Sequence, residues 1–388
     1  MKKIAFAGTD GRTLLCALVV STATSDMYKD AFQGIVVRGT PSMPRFVETM
    51  NWPVEFIPTT GNSYDEYAEA IINAMKSGSI DYVIPMPEAL LCEGLVDKVE
   101  AAGFGDRIVG LNKSAAFIEA DKIKCKALCR EAGIPVAASW AEVDAKDYST
   151  LLHTCLDYIQ KYGGAVLKYP YSAGGKGARI ILNSWEIREV YDILIKDYKP
   201  DYKKMFGGKG KWPLLIESLM SGVEISFTIL VDKNGNFQIL PTAMDYPERF
   251  EGPASKTNPI TGGMGAISPH PMETPELIAL AGKLIAGPLI DKMKEKGYLR
   301  PCILYPGCFV SLDNAKQPTN IRVSEINIRP GEPEAQPVAR RLRNLGVLIE
   351  AMFAGKLDEV KPEVRDDQLA LCAGLVLSLI HISEPTRL

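Results

Sequence analysis

Three polar side chains recur at every second position near the end of residues 321–329, with apolar residues between them. In an extended strand, Glu325, Asn327 and Arg329 face one side. Ser324 and the apolar residues between them face the other side. A carboxylate and an amide oxygen suit Mg²⁺, which completes its shell with water and phosphate oxygens, and the guanidinium can bind an anion through two hydrogen bonds. The pattern therefore predicts a magnesium site, with a solvated polar strand face as the alternative.

A glycine-rich segment follows a lysine that lies in an apolar strand. The lysine is Lys168, and the segment contains Gly174, Gly175, Lys176 and Gly177. Backbone N–H groups in such a loop can bind phosphate oxygens, although the GxxxxGK[ST] pattern does not fit. The residues alone are equally compatible with a plain glycine hairpin and a lysine whose ammonium group reaches solvent.

A third segment, residues 257–271, is dense in glycine, proline and small residues. Its backbone can approach a ligand closely, and the alternative is a connecting loop. The chain has only three histidines, so a Ser-His-Asp triad or a histidine-rich metal site has little support. Any catalysis is expected to depend on lysines, carboxylates and a metal ion.

The composition excludes several classes of protein. The 388 residues are enough for two or three domains, and 46% apolar with 23% charged residues is typical of globular chains. The formal net charge of −3 lacks the basic excess that nucleic acids or anionic membranes attract. No signal peptide is recognisable, and the apolar stretch 369–382 is too short to span a bilayer. We expect a cytoplasmic protein with no nucleic-acid or membrane partner.

Strands and helices alternate in the prediction for residues 1–110. Residues 3–7, 34–37 and 82–85 have the composition of strands, and residues 64–75 that of a helix. This alternation predicts a doubly wound parallel sheet.

The next segments predict a small α+β module. A helical segment is expected from Asn112 to Gly133, with Asp121 as an N-cap, followed by strands at 165–170 and 178–182 and a helix at 185–198. The polar, glycine-containing residues 199–211 predict a mobile surface loop.

Two antiparallel hairpins are predicted after this module. In residues 223–231 apolar and polar side chains alternate, and Asn234-Gly235 supplies a tight turn. A second hairpin pairs residues 302–313 with 320–331. These hairpins predict an α+β catalytic core.

Six segments occur in an order typical of one enzyme family. They are DKIKCKALCREAGIPVA (121–137), VLKYPYSAGGKGARI (166–180), IESLMSGVEISF (216–227), TGGMGAISP (261–269), YPGCF (305–309) and SEINIRPGEPEAQP (324–337). The chain resembles the phosphoribosylamine–glycine ligase family of the ATP-grasp superfamily. The ordered combination is far more specific than any one segment.

The resemblance implies an α/β and α+β fold class. A doubly wound N-terminal (pre-ATP-grasp) domain over residues 1–110 is followed by a two-part ATP-grasp domain over 111–355, with a mobile lid at about 136–215. Residues 356–378 are expected to begin a truncated C-terminal domain. Residues 379–388 are expected to be an artefactual tail.

The resemblance also implies roles for individual residues. Glu217 would begin the strand beside the adenine, and Glu224 would meet the ribose hydroxyls. Lys168 and Arg329 would be catalytic, and Glu325 and Asn327 would bind Mg²⁺ or Mn²⁺. The implied ATP-binding residues are Lys122, Lys168, Gly174, Gly175, Lys176, Gly177, Glu217 and Glu224. The implied substrate-binding residues are Arg12, Glu88, Thr261, Gly262, Gly263, Met264 and Arg329.

The implied reaction joins glycine to 5-phosphoribosylamine through an acyl phosphate and forms ADP, in purine biosynthesis. The chain departs from the family after Arg12, where Thr13-Leu14 replaces Glu-His. One alternative is therefore an ATP-grasp carboxylate–amine ligase with a different amine substrate. Another is a nucleotide-binding protein without ligase activity. The expected partners are small-molecule substrates only, and we expect a monomer.

Overall fold

The computed structural model describes residues 1–22, 30–61, 63–172, 177–252 and 260–374. Four β-sheets organise this part of the chain. None of the helices within these ranges is long and apolar enough to cross a membrane.

The first sheet is parallel, with the strand order β3-β2-β1-β4. Its strands are β1 (Lys2–Gly8), β2 (Phe32–Arg38), β3 (Val54–Ile57) and β4 (Tyr82–Pro85), and its helices are α1 (Gly11–Ser21), α2 (Met43–Thr49), α3 (Tyr64–Lys76), α4 (Glu88–Cys92) and α5 (Leu95–Ala101). Helix α1 packs so closely on β2 that a Cβ atom on Gly34 would lie 1.9 Å from the Ala17 carbonyl oxygen. Glycine is therefore required there. The parallel pairing confirms the predicted doubly wound sheet.

Two helices lead from the first sheet into an antiparallel sheet with the order β5-β8-β6-β7. The elements are α6 (Phe117–Ala120), α7 (Lys122–Glu131), β5 (Trp140–Asp144), α8 (Tyr148–Tyr162), β6 (Ala165–Lys168), β7 (Ala178–Ile181), α9 (Glu186–Phe206) and β8 (Pro213–Ser218). Asp121 caps α7, because its carboxylate accepts backbone hydrogen bonds from Ile123 and Lys124. We call residues 140–218 the lid module. Its helices and sheet enclose a hydrophobic cluster of their own, which includes Leu151 and Ile216.

The two remaining sheets belong to a larger module. One has the order β11-β10-β14-β15, with β9 also paired to β14, and the other has the order β12-β13-β16. The strands are β9 (Val223–Ser226), β10 (Ile229–Val231), β11 (Phe237–Ile239), β12 (Met244–Glu248), β13 (Ile260–Ser268), β14 (Cys302–Leu312), β15 (Pro318–Asn327) and β16 (Ala370–Ala373), and the helices are α10 (Pro275–Ala281), α11 (Gly287–Glu295), α12 (Ala335–Arg341) and α13 (Leu345–Ala354). Both predicted hairpins, β10 with β11 and β14 with β15, are confirmed.

Two hydrophobic clusters each extend from the first sheet into the larger module. One contains Val83 of β4 and Phe227 beside β9. The other contains Val36 of β2 and Met352 of α13. Because these modules share both clusters, the first sheet is packed directly against the larger module.

The predicted surface loop over residues 199–211 is wrong for its first half, because α9 continues to Phe206. Tyr202 is buried in the lid cluster and stacks on Trp212 with ring centroids 4.5 Å apart. This aromatic packing outweighs the polar composition and the helix-breaking tendency of Pro200.

The connecting-loop interpretation of residues 257–271 is also wrong where β13 is concerned. Residues 260–268 form a strand that pairs with β12 on one side and β16 on the other. Strand partners on both sides pair with the backbone N–H and C=O groups of β13, so its small residues with weak strand propensity stay in extended form. Residues 253–259 lie outside the described part of the chain.

Candidate functional site

Two lysines from different modules share one buried carboxylate. Lys168 ends β6 and pairs with Glu217 Oε2, and Lys126 of α7 lies 2.7 Å from Glu217 Oε1. Burial opposes ionisation, but the two ammonium groups lower the pKa of Glu217 to about 2. Burial lowers the pKa of Lys168. Since Lys168 is only 6% exposed, the alternative of a lysine reaching solvent is wrong. Glu217 is the penultimate residue of β8 and does not begin a strand.

Lys122 connects the larger module to the lid module. Its Nζ lies 3.1 Å from Glu325 Oε2 and donates a hydrogen bond of 2.7 Å to the Ser172 carbonyl oxygen. The Lys122 charge lowers the pKa of Glu325 to about 2. Burial opposes the charge on Lys122, yet Glu325 raises its pKa. Ser172 lies at the start of the glycine-rich segment, so Lys122 lies where the lid module meets β15.

A β-bulge changes the face on which Ser324 lies. Gly307 pairs with Glu325, whereas the next residue, Cys308, pairs with Val323, so Ser324 is an extra residue in β15. Its Oγ accepts a hydrogen bond of 3.3 Å from Lys168. The prediction that Ser324 faces away from Glu325 is therefore wrong, because strict alternation ignores the bulge.

We call Lys122, Lys126, Lys168, Glu217 and Glu325 the lysine cluster. Its three ammonium groups and two carboxylates leave one net positive charge. Buried lysines without a full complement of carboxylates attract phosphate oxygens, especially where water is excluded.

The two predicted metal ligands differ in the contacts that their side chains make. Asn327 Nδ2 donates a hydrogen bond of 3.2 Å to the Tyr305 carbonyl oxygen, and this bond does not use the amide oxygen, Oδ1. Glu325 is ionised at neutral pH because of Lys122. Within the described ranges no three His, Cys, Asp or Glu side chains are arranged to hold a metal. A carboxylate and an amide oxygen still fit Mg²⁺ or Mn²⁺, which take few protein ligands when phosphates and water supply the rest.

The lid face above the lysine cluster also carries apolar side chains. Val166 is paired with Glu217 on one side and with Ile180 on the other, so these residues share the lid face that carries Lys168. Ile180 is 58% exposed. Sequence analysis did not select it, although its alternation with the buried Ile181 is the signal that could have done so. An exposed apolar side chain beside buried charges suits a flat heterocyclic ring.

Glu224 of β9 has a solvent-accessible carboxylate. Partial desolvation, followed by repulsion from Glu325 and Glu248, raises its pKa. Glu224 therefore lies within electrostatic reach of Glu325 on β15, and a ligand with hydroxyl groups could donate hydrogen bonds to it.

Arg329 lies just past β15 and is held by acidic side chains. Its Nε lies 3.2 Å from Glu119 Oε1 and 3.7 Å from Glu88 Oε2. Glu119 was missed by sequence analysis; its Oε2 accepts a hydrogen bond of 2.8 Å from the Ile328 N–H. Burial raises the pKa of Glu119 to about 7 although Arg329 opposes this. The signal was a lone acidic residue among the apolar residues that precede α7.

Arg12 is buried and its guanidinium contacts three groups of the chain. It donates a hydrogen bond of 2.5 Å to the Pro330 carbonyl oxygen and forms ion pairs with Asp10 at 2.6 Å and Glu332 at 2.8 Å. Asp10 also caps α1 through the Thr13 N–H. Arg12 thus joins the first turn of the chain to the segment after β15, and its predicted role in substrate binding stays a prediction.

The predicted substrate residues Thr261, Gly262, Gly263 and Met264 all lie in β13. Gly263 has a φ of +114°, and a Cβ atom there would lie 2.3 Å from Pro333 Cδ. The strand can therefore pack on residues 332–334 only with glycine at this position. Of the predicted tip residues, Gly177 is described, whereas Gly174, Gly175 and Lys176 lie outside the described residues.

Three acidic and phenolic groups near β13 were also missed. Tyr305 donates a hydrogen bond of 2.5 Å to Glu334 Oε1, and burial together with Glu334 raises the pKa of Tyr305. Desolvation and repulsion from Glu334 raise the pKa of Asp245 to about 8. These residues come from β12, β14 and the start of α12, and no local pattern joins segments so distant.

The family model for the phosphoribosylglycinamide synthetase ATP-grasp (A) domain matches residues 120–335. The chain belongs to this family. The match includes the whole lysine cluster, both predicted metal ligands and β13. The family resemblance seen in the sequence motifs is confirmed.

Curated relatives that match this chain are named phosphoribosylamine–glycine ligase. Phosphoribosylamine–glycine ligase of Rhodopirellula baltica is 32% identical over 305 residues, which are 78% of this chain and 65% of that protein. The enzyme of that name from Xanthomonas axonopodis pv. citri is 35% identical over 277 residues, 70% of this chain and 58% of that protein. The chain thus spans less than two thirds of the length of these relatives.

A solved structure shows the same fold. Phosphoribosylamine–glycine ligase from Thermotoga maritima matches 96% of this chain and 79% of its own, with a TM-score of 0.68 and 20% sequence identity. The predicted ATP-grasp fold after a doubly wound domain is therefore confirmed.

Proposed function

We propose that this chain is an ATP-dependent, ADP-forming ligase that joins glycine to 5-phosphoribosylamine in purine biosynthesis. The observation that carries this proposal is the lysine cluster, which has one net positive charge and whose Glu325 carboxylate lies on β15 two residues before Asn327. Membership of the phosphoribosylglycinamide synthetase family supports the choice of substrates.

ATP would bind between the lid module and β15. The ammonium groups of Lys122 and Lys168 would neutralise its phosphates, while Glu217 holds Lys168 in place. Ile180 offers an exposed apolar side chain for the adenine, and Glu224 offers a carboxylate for the ribose hydroxyls. Positioning and charge neutralisation account for most of the catalysis in phosphoryl transfer, so no histidine base is required.

Glu325 and Asn327 would hold Mg²⁺ or Mn²⁺, which supplies charge neutralisation at the phosphate oxygens. Lys122 keeps Glu325 ionised and ready to act as a ligand. Asn327 is oriented by its hydrogen bond to Tyr305. This bond uses the amide nitrogen and so helps to orient the amide oxygen as a ligand.

The reaction would proceed in two steps. A glycine carboxylate oxygen attacks the γ-phosphorus of ATP, so an acyl phosphate forms and ADP leaves. The amine nitrogen of 5-phosphoribosylamine then attacks the acyl carbon, inorganic phosphate leaves, and the nitrogen loses a proton. Arg329, positioned by Glu119 and Glu88, would orient the carboxylate through its remaining N–H groups.

We also propose the domain division 1–110 and 111–355, with the lid at about 136–215. The separate hydrophobic cluster of the lid module supports the lid as a unit within the second domain.

The test is to incubate the purified chain with ATP, Mg²⁺, glycine and freshly generated 5-phosphoribosylamine. ADP release and the mass of the condensed product are then measured. ADP formation that requires both substrates, with equal amounts of product, supports the proposal. Acceleration by another amine and not by 5-phosphoribosylamine would assign a different amine, and ATP binding without turnover would indicate a nucleotide-binding protein.

A further inference from the structure

His270 is a buried histidine that the proposed reaction does not use. It lies two residues after β13, is 3% exposed, and is one of only three histidines in the chain. Its Nδ1 accepts a hydrogen bond of 3.0 Å from the Met272 N–H. A ring nitrogen that accepts a hydrogen bond carries no proton, so these bonds assign the N–H of the neutral ring to Nε2.

The Nε2–H group of His270 is used on another strand. The ring donates a hydrogen bond to the backbone carbonyl oxygen of Glu224 in β9. Burial lowers the pKa of His270, and this bond opposes the lowering. Because the pKa lies below the ordinary value of 6.5, the ring is mostly neutral at pH 7. The neutral ring therefore joins β9 to the segment after β13 through one donor and one acceptor.

The backbone of His270 is held on both sides, so the ring has little freedom. Its N–H donates to Thr242 Oγ1 at 3.3 Å, and its carbonyl oxygen accepts from the Glu273 N–H at 2.8 Å. Glu273 Oε2 in turn accepts from the Thr242 hydroxyl group at 2.6 Å. A buried side chain that is itself locked by hydrogen bonds can fix the position of the group it contacts.

Glu224 is the group that this network reaches. It lies in a strand of only four residues, where it is opposite Phe309 of β14. Its side chain is exposed, so the direction of its carboxylate depends on how firmly its backbone is held. In the proposed function this carboxylate accepts hydrogen bonds from the ribose hydroxyl groups of ATP.

We propose that His270 is a positioning residue for ATP. By holding the backbone of Glu224, it aims the carboxylate at the ribose hydroxyl groups and thereby selects a ribonucleotide over a nucleotide that lacks these hydroxyls. The inference rests on the proposed function and assigns a role to a residue that acts through Glu224 and not by contact with the nucleotide.

The experiment compares ATP with 2′,3′-dideoxy-ATP, which lacks both ribose hydroxyl groups. Binding of each nucleotide with Mg²⁺ is measured by calorimetry without glycine or amine. His270→Asn keeps an acceptor for the Met272 N–H but is too short to reach Glu224, whereas His270→Gln keeps a donor at the position of Nε2. His270→Asn should lower the preference for ATP by about tenfold, the usual effect of weakening hydrogen bonds to a charged group, and His270→Gln should restore most of it. The affinity for 2′,3′-dideoxy-ATP should be the same in all three proteins.

Two controls test whether His270 acts through Glu224. Glu224→Gln removes the carboxylate charge, so adding His270→Asn to this variant should cause no further loss of preference. His153→Ala replaces an exposed histidine of α8 and should keep the wild-type preference. Circular dichroism confirms that each variant is folded.

The outcomes separate this inference from the proposed function. If His270→Asn keeps the wild-type preference, or weakens binding of both nucleotides equally, the inference is wrong and the function stands. If the wild type binds both nucleotides equally, the inference is also wrong. If His270→Asn loses the preference but the wild type forms no ADP with glycine and 5-phosphoribosylamine, the inference stands and the ligase activity is wrong. If the wild type does not bind ATP, both are wrong.

Discussion

Replacing Glu217 with glutamine removes the negative charge that Lys126 and Lys168 share and keeps the size of the side chain. Both lysines would then be buried beside a neutral amide. The difference between the ordinary carboxyl pKa of 4.5 and the folded-state value of about 2 corresponds to about 3 kcal/mol. We therefore expect Glu217→Gln to lower the free energy of unfolding by about 3 kcal/mol at pH 7, close to the usual cost of breaking a buried ion pair.

The pH dependence of this loss has a definite sign. Because folding lowers the pKa of Glu217, its stabilising contribution is complete above pH 4.5 and is lost as the pH falls toward about 2. The glutamine variant has no such contribution to lose. The gap in unfolding free energy between wild type and Glu217→Gln should therefore narrow by about 1 kcal/mol at pH 4.

Urea denaturation at pH 7, 5.5 and 4 measures both effects. The matched control is Glu142→Gln on the neighbouring strand β5, where Glu142 forms an exposed ion pair with Lys211 at 2.6 Å. Exposed pairs contribute little, so this control should lose less than about 1 kcal/mol. A loss below about 1 kcal/mol for Glu217→Gln at pH 7, or a gap that is the same at all three pH values, would refute the reasoning.

Three further predictions concern activity. Lys168→Ala should lower the rate of ADP release by about 100- to 1000-fold, because a phosphate oxygen loses its cation in a site closed to water. As a control, replacing the exposed lid lysine in Lys211→Ala should leave the rate at the wild-type value. Equal rates for both variants would show that Lys168 does not lie in the site. Glu325→Gln and Asn327→Ala should each raise the Mg²⁺ concentration needed for half-maximal ADP formation, and unchanged metal titrations would place the metal elsewhere. Arg12→Ala should weaken binding of 5-phosphoribosylamine by about 1–3 kcal/mol, measured as a higher KM for the amine, while formation of the acyl phosphate from glycine persists. An unaltered KM for the amine would mean that Arg12 acts only through its ion pairs with Asp10 and Glu332.

Local sequence signals predicted the elements that carry the proposed ATP-binding residues. Helix α7 begins after its Asp121 cap because the cap, the helix and the following Gly133 are all encoded within thirteen residues. The β14–β15 hairpin follows from apolar periodicity on both sides of a polar turn. Lys122 and Glu325 were selected within these elements, and the structure brings them to 3.1 Å of each other.

The remaining features depend on contacts that no local pattern contains. Ser324 turns toward Lys168 because of a bulge, which depends on how β14 aligns with β15. In the sequence Lys126 is an ordinary helix lysine. Its partner Glu217 lies 91 positions later and comes within 2.7 Å only because of the lid sheet. Asp245 of β12 and the segment 332–333 come together because both pack against Gly263 of β13. Such long-range packing decides which charged residues are buried, and burial gives these residues their chemistry.

The lid module has a hydrophobic cluster that it shares with no other part of the described chain. A unit with a core of its own can unfold locally while the other two clusters stay intact. The Glu217–Lys126 ion pair joins the lid sheet to α7, so it opposes this partial unfolding, and ATP bound at the same place would oppose it further by mass action. The lifetime of the chain against a protease that cuts within residues 140–218 would then rise with the concentration of nucleotide and fall when ATP is scarce.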